Sequence, residues 1–197
     1  MERLSTYLSR RMVIHGLITE DDIIFYDYSI QVLLEKVIGI ALILSVAAMI
    51  HHLLEVAAFL LVFASIRRYS DGIHCRTSLS CFCTSVLVSI STVPFVEYLP
   101  GICAIWIGGA VFAMVVLCIM ATIPHPDLNV TEEELHYLKC RSRVTTLVTG
   151  MATIILLLIP FLRSIASYMT LGILYNALSL LILKLKERRE LYEKQQG

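Results

Sequence analysis

A histidine and a cysteine seven residues apart are the side chains of this sequence best suited to covalent chemistry. His74 and Cys81 lie in the stretch RRYSDGIHCRTSLSC. A thiol protease needs a thiolate, a base that takes and returns its proton, and donors for the oxyanion. The same stretch carries three cations, which favour a thiolate: Arg67, Arg68 and Arg76. These residue types fit nucleophilic catalysis, although a histidine and a cysteine on one loop are more often structural.

The spacing of His74 and Cys81 constrains the backbone between them. On one straight helix the two residues would share a face but lie about 10.5 Å apart along the axis. Proton transfer needs roughly 2.6–3.2 Å, and helical side chains lean the same way, so they cannot close the gap. We therefore expect a non-helical chain around residues 72–76 that folds His74 back. Assembly of the pair only with substrate is the alternative.

The elements that must position this pair are helices in a membrane. The 197 residues are 57% hydrophobic and 16% charged, whereas soluble domains average about 45–50% apolar and 25% charged residues. Residues 102–123, ICAIWIGGAVFAMVVLCIMATI, contain no charge, and about 20 helical residues cross a bilayer core. Lipid cannot satisfy open backbone groups, so such stretches must be helical. The sequence predicts an all-α integral membrane protein.

We predict about six transmembrane helices in a single domain. An N-terminal amphipathic interfacial helix precedes them, because Leu4, Leu8 and Met12 recur at helical spacing. Residues 1–28 form the interfacial segment, 29–183 the bundle and 184–197 a charged tail. The predicted spans are 29–47, 51–66, 78–94, 102–123, 144–162 and 164–183.

Two helix starts carry the pattern of a capping box, in which a hydroxyl residue is followed three positions later by an acid. Thr19 with Asp22 predicts the start of the helix that leads into the first span. Thr131 with Glu134 predicts the start of a helix that continues into the fifth span.

Basic residues fix the expected orientation, since cytoplasmic loops of membrane proteins are rich in Lys and Arg. With the N-terminus in the cytoplasm, 15 of the 16 basic residues fall on the inner side, and only Arg163 falls outside. Both termini and the loop with His74 are therefore predicted to be cytoplasmic. The first residues lack the apolar core of a secretory signal, so we expect no cleaved leader.

Several other classes of function find no support in the sequence. The net charge is zero, so no nucleic-acid partner is expected. The six cysteines form no CxxC pair, His51 and His52 have no further ligands at zinc spacing, and neither HExxH nor GxSxG occurs. We expect no metal, no cofactor and no disulfide framework.

The stretch RRYSDGIHCRTSLSC resembles the AgrB family (accessory gene regulator protein B), membrane peptidases of bacterial quorum sensing. Four residues match the family pattern: Arg67, Gly72, His74 and Cys81. The length, amphipathic start, several spans and basic loop agree more loosely. Asp71 departs from the pattern, because the family often has a second glycine there. Asp71 could orient His74 or cap a turn.

The resemblance implies a mechanism and partners. Cys81 would be the nucleophile and His74 the general base, in an enzyme of the bacterial cytoplasmic membrane that acts as a homodimer. It would cleave the C-terminal tail of a small AgrD-like precursor peptide through an acyl-enzyme thioester. The remainder would close into a thiolactone or lactone. The acidic tail of the precursor would meet the three arginines: Arg67, Arg68 and Arg76.

A third polar group should support the pair. Gln31 matches a polar position of the family and lies four residues before Glu35. Polar groups in lipid are functional candidates, but both residues could equally lie at the interface. The alternative for the whole chain is a non-catalytic transporter or assembly protein with a structural His74 and Cys81. A transporter should place ionisable residues near mid-bilayer, and the centres of the last three spans have none, which favours the enzyme.

Overall fold

The computed structural model describes residues 2–69, 78–99, 103–120 and 132–196. Within these ranges the chain forms helices and no strand, which confirms the predicted all-α class. A 3-10 turn, Pro160–Leu162, separates the last two helices. The seven helices are α1 (Glu2–Ile14), α2 (Ile23–Met49), α3 (Leu53–Arg67), α4 (Ser78–Tyr98), α5 (Cys103–Met120), α6 (Glu132–Leu158) and α7 (Arg163–Gln196).

Four helical segments in the described ranges are long and apolar enough to cross a bilayer. They are α2, α5, α6 and Pro160–Lys186, which contains the first two-thirds of α7. Large apolar side chains such as Leu33, Phe112 and Ile155 remain exposed along these helices, as expected of surfaces that face lipid rather than water. The chain is a multi-pass membrane protein.

The second and third predicted spans coincide with α3 and α4, which do not belong to these four. α3 has 15 residues, fewer than the roughly 20 needed to cross the hydrocarbon core. Six spans and cytoplasmic termini therefore stay predictions.

α7 is the central helix of the bundle. Of its apolar window 56% is buried, against 17% for that of α2. Tyr168 and Leu171 of α7 join a core cluster with Phe59 of α3 and residues of four other helices. Ile173 joins a second cluster that α3, α5 and α7 share. α7 therefore contacts most of the other helices, and α2 lies at the periphery.

Two glycines mark where helices approach most closely. A Cβ added to Gly172 of α7 would lie 3.1 Å from the carbonyl oxygen of Phe59 in α3. A Cβ added to Gly150 of α6 would overlap the side chain of Met114 in α5. The first obstacle is fixed backbone and the second is a flexible thioether, which can turn away. The two sites should therefore respond differently to the same substitution.

We expect Gly172→Ala to destabilise the protein by about 1–3 kcal/mol, the usual cost of overpacking. Gly150→Ala should be close to neutral, because replacing glycine in a helix gains up to about 1 kcal/mol and the methionine can move. Thermal unfolding of the detergent-solubilised protein measures both, with Gly108→Ala as the control, since a Cβ there meets no atom within 4 Å. Equal losses at the two sites would contradict this account.

The first helix packs on α2 through small polar residues. Ser5 and Ser9 are fully buried, and the Thr6 hydroxyl donates to Asp27 Oδ2 at 3.2 Å. Leu4 and Leu8 of the predicted apolar stripe are exposed instead. An exposed apolar stripe is what an interfacial helix would present to lipid, and that placement stays a prediction.

The capping box predicted at Thr19 is wrong. α2 begins at Ile23 with Asp22 as its N-cap, and no side chain caps the helix. The Thr19 hydroxyl donates to Asp22 Oδ2 at 2.7 Å, so the two side chains bind each other rather than backbone N–H groups. At the other predicted box α6 begins at Glu132 and runs into the fifth span as expected, while Thr131 lies outside the described residues.

Two of the predicted spans are parts of longer helices. α4 continues through Pro94 to Tyr98 instead of ending at the proline. Val96 and Leu99 pack against the core there, and this packing holds the last turn although proline removes one backbone hydrogen bond. α7 continues to Gln196, so the charged tail extends the last helix.

Candidate functional site

α3 and α4 flank the stretch that carries the motif. α3 ends at Arg67, and α4 begins at Ser78, so Cys81 is the fourth residue of that helix. His74 and the predicted non-helical segment around it lie outside the described residues, as do Asp71, Gly72 and Arg76. The structure therefore describes the helix that precedes this stretch, α3, and the helix that follows it, α4.

Arg67 contacts the central helix. Its Nη1 donates to the Ser179 hydroxyl of α7 at 2.9 Å, and its guanidinium carbon lies 5.8 Å from the centre of the Phe63 ring. Arg67 is half-buried in this position. The last residue of α3 is thus attached to α7.

Arg68 lies on a different side of the chain. Its guanidinium carbon is 5.8 Å from the centre of the Tyr69 ring, and its side chain is exposed. Successive helical residues point about 100° apart, so neighbouring arginines at a helix end reach different surroundings. An open cavity of about 430 Å³ lies on the Arg68 side, between the end of α3 and α6, lined by Ala64, Ser65, Arg68, Tyr69 and Thr145.

This cavity combines one cation with three hydroxyl groups next to the start of the loop. Arg68 contributes the charge, and Ser65, Tyr69 and Thr145 contribute the hydroxyls. A guanidinium suits an anionic group such as a carboxylate, with which it makes charge-assisted hydrogen bonds. The Ser65 hydroxyl already donates to the Leu61 carbonyl at 2.6 Å, so Arg68 is the residue of this cavity best suited to hold an anion beside the end of α3.

The family model described as Accessory gene regulator B matches residues 1–182 of the chain. The chain belongs to the AgrB family. Its membership places it in the accessory gene regulator quorum-sensing system and links it to a precursor peptide, AgrD, in the membrane.

Relatives from two Listeria species agree with this assignment. A "Putative AgrB-like protein" of Listeria monocytogenes serovar 1/2a (strain ATCC BAA-679 / EGD-e) is 30% identical over 86% of this chain and 83% of its own. The protein of the same name from Listeria innocua serovar 6a is 28% identical over the same shares. No solved structure resembles the chain closely enough to count as a match.

Gln31 of this AgrB-family chain is paired with the acid that follows it by one helical turn. Its Nε2 donates to Glu35 Oε1 at 3.2 Å, and both side chains are half-buried in α2. The pair satisfies part of the hydrogen-bonding capacity of each group, which lowers the cost of placing them at a membrane. This contact fits an interfacial pair and a supporting role equally well, so the role of Gln31 stays a prediction.

Sequence reasoning missed the polar residues of α7 that meet α3. Asn176 is 2% exposed, and its Nδ2 donates to the Phe63 carbonyl of α3 at 3.2 Å. A signal was present, because an asparagine inside an apolar span is costly unless it is paired. The partner could not be read from the sequence.

The opposite end of the AgrB-family bundle carries a second polar group. His52 Nε2 lies 3.5 Å from Glu97 Oε1, which joins the start of α3 to the end of α4, and the His52 ring stacks on Tyr168. In the described ranges no three His, Cys, Asp or Glu side chains are arranged to hold a metal ion. His52, at the start of α3, therefore connects three helices.

Proposed function

We propose that the protein is a membrane-embedded cysteine endopeptidase that cleaves the C-terminal tail of a small autoinducer precursor peptide and promotes cyclisation of the remainder. The observation that carries this proposal is the motif of Arg67, Gly72, His74 and Cys81 in a chain matched by the AgrB model over residues 1–182. The motif lies between α3 and α4 in the chain, and Arg68 lines a cavity beside the end of α3.

In the first half of the reaction, His74 takes the proton of the Cys81 thiol. The sulfur attacks the scissile carbonyl carbon, and the resulting tetrahedral intermediate collapses to a thioester. His74 returns its proton to the nitrogen of the departing tail. Cys81 lies in the first described turn of α4, where the positive end of a helix dipole favours a thiolate.

In the second half, a thiol or hydroxyl of the bound peptide attacks the thioester carbonyl. Cys81 leaves as the thiolate and regains its proton, and the peptide now holds a thiolactone or lactone. One peptide bond has been exchanged for an ester-type bond with no change of redox state. The thioester conserves the activation that hydrolysis would lose, so water must be kept out between the two steps. A site at the membrane boundary serves that need.

The remaining motif residues would support these steps. Gly72 would permit a turn before His74, Asp71 would orient the imidazole or cap that turn, and Gln31 would supply a polar group from α2. Arg68 and Arg76 would bind the acidic tail of the precursor, for which a planar guanidinium is suited.

Co-expression with a cognate precursor peptide tests the function directly. Mass spectrometry should find a released C-terminal tail and a cyclic product that is lighter than the linear one by one water. The enzyme should carry a peptide adduct on Cys81 when the peptide lacks its own nucleophile. Intact precursor in the presence of folded, membrane-inserted enzyme would exclude this activity for that peptide.

We place the active site at the cytoplasmic face of the bacterial membrane, which predicts a sided labelling pattern. In a variant that keeps only Cys81, a membrane-impermeant maleimide should label the thiol in inverted vesicles and not in intact cells. His51→Cys in a cysteine-free chain is the matched control, because exposed His51 lies at the predicted outer face and should label in intact cells. The reverse pattern would overturn the orientation.

A homodimer is also proposed, on the family resemblance alone. Gly108, Gly109 and Ala110 form a patch of small residues on α5 that could allow close contact with a second copy, but part of this patch packs within the chain. A Cβ on Gly109 would lie 3.4 Å from Leu174 Cδ1 of α7, and Ala110 is fully buried. Gly108 is the member of the patch with open space around it.

A further inference from the structure

We propose that Asn176 and Ser179 of α7 are positioning residues, which hold the end of α3 so that the catalytic loop starts from a fixed point. Arg67 then acts through α7 rather than on the substrate. This inference rests on the proposed function for its catalytic meaning. Its structural part rests on contacts between described residues of α3 and α7.

The two helices run in the same direction and meet in three consecutive contacts. Gly172 faces Phe59, where a Cβ would lie 3.1 Å from the Phe59 carbonyl oxygen. One turn later, Asn176 Nδ2 donates to the Phe63 carbonyl at 3.2 Å. One turn later again, Ser179 accepts from Arg67 Nη1 at 2.9 Å.

The three contacts recur at helical spacing along both α3 and α7, so they define one alignment of the two helices. The α3 residues recur every four positions, and the α7 residues recur after four and then three, so each set lies on one helix face. The first contact is close backbone packing, and the next two are hydrogen bonds that get nearer to the end of α3. A slip of either helix by one residue would break all three.

The Asn176 amide makes hydrogen bonds to both helices of this contact. Its Nδ2 also donates to the Gly172 carbonyl of its own helix at 2.9 Å, and the side chain is 2% exposed. The Phe63 carbonyl keeps its own intrahelical partner, so removing the Asn176 amide takes away the hydrogen bond between the two helices and leaves the bonding within α3 intact. The bond thus ties the penultimate turn of α3 to the central helix.

Arg67 has its described contacts with α7 and Phe63, not with the cavity. The cavity wall contains Arg68 and does not contain Arg67. Its guanidinium lies over the Phe63 ring, which adds a cation–π attraction to the Ser179 bond. His74 follows Arg67 by seven residues in the chain, and on this proposal a fixed end of α3 limits how far His74 can lie from Cys81. Proton transfer tolerates little displacement.

Ser179→Ala is the first test, measured on the full-length membrane protein with its precursor peptide. We expect kcat to fall about tenfold while KM stays within twofold, since the variant leaves the cavity intact. Ser179→Thr keeps the hydroxyl and should restore most of the rate. Ser167→Ala is the matched control, because Ser167 is a buried serine of the same helix that bonds only within it, to the Arg163 carbonyl.

A double-mutant cycle separates action through α7 from direct action on substrate. If Arg67 works through Ser179, Ser179→Ala should add less than twofold to the loss caused by Arg67→Lys. Independent losses that multiply would overturn the inference. An increase in KM as the main effect of either variant would overturn it as well.

Amide hydrogen exchange tests the structural part without any activity. Ser179→Ala and Asn176→Leu should each speed exchange at residues 66–69, which include the end of α3 and the two residues after it, by about threefold or more, and Ser167→Ala should not. Unchanged exchange in both variants would refute the positioning role even if the enzyme is active. If the wild-type protein processes no precursor, the proposed function fails, and exchange still decides whether α7 holds α3.

Discussion

Replacing Cys81 with alanine is expected to reduce cleavage of the precursor peptide to the uncatalysed level. No acyl-enzyme can form without the thiol, so both the release of the tail and the formation of the ring should stop. His74→Ala should lower the rate by about 10²- to 10⁴-fold, the usual contribution of a general acid–base group. Tail release measured by mass spectrometry in purified membranes gives both values.

The neighbouring cysteines provide matched controls for the nucleophile. Cys75→Ala and Cys83→Ala remove a thiol within six residues of Cys81 and should retain activity, because neither keeps the seven-residue spacing from His74. Each variant should insert into the membrane at the wild-type level, as judged by size-exclusion profiles in mild detergent. Processing by Cys81→Ala, or loss of processing in Cys75→Ala alone, would show that the nucleophile is assigned to the wrong residue.

Arg68→Glu is expected to lower kcat/KM by about 10- to 150-fold. This range corresponds to the roughly 1.5–3 kcal/mol of a hydrogen bond to a charged group. The arginine lines the cavity between α3 and α6, where it would meet an acidic residue of the peptide tail. Replacing that acidic residue with lysine should restore part of the activity of the variant and impair the wild-type enzyme.

The competing role for Arg68 is attachment to anionic lipid, worth about 1 kcal/mol per basic residue. A lipid role predicts a defect that does not depend on the charge of the peptide tail. Arg11→Glu is the matched control, because Arg11 is also exposed and also lies over a tyrosine ring, that of Tyr7. A panel of tail charges that never rescues Arg68→Glu would exclude tail recognition at this position.

The sequence predicted which segments are helices far better than where those helices end. Long apolar stretches force a helix wherever they meet lipid, and a helix lies at each of the six predicted spans. Helix ends depend on local competition between contacts. The Thr19 hydroxyl binds the Asp22 carboxylate in preference to a backbone N–H, and core packing of Val96 outweighs the hydrogen bond lost at Pro94.

For the candidate site as well, some features could be predicted from the sequence and others could not. A thiol, an imidazole and nearby cations were compatible with nucleophilic catalysis, but the residue types alone favoured a structural role, and the chemistry of the motif was predicted from its resemblance to the AgrB family. The different surroundings of Arg67 and Arg68 could not be predicted, since they depend on which helices pack on either side of α3. The partners Asn176 and Ser179 lie more than a hundred residues away in the chain, and no local pattern pairs them with α3.

The shortness of α3 bears on where the reaction takes place. A 15-residue helix advances about 22 Å, roughly 8 Å less than the hydrocarbon core of a typical bilayer. For α3 to cross the membrane as predicted, the bilayer would have to thin beside the helix. The scissile bond would then lie where the inner leaflet is locally thin, below the level of the surrounding headgroups. The turnover rate would then depend on membrane thickness. The lipid composition of the host cell would therefore affect how much signal peptide the enzyme produces.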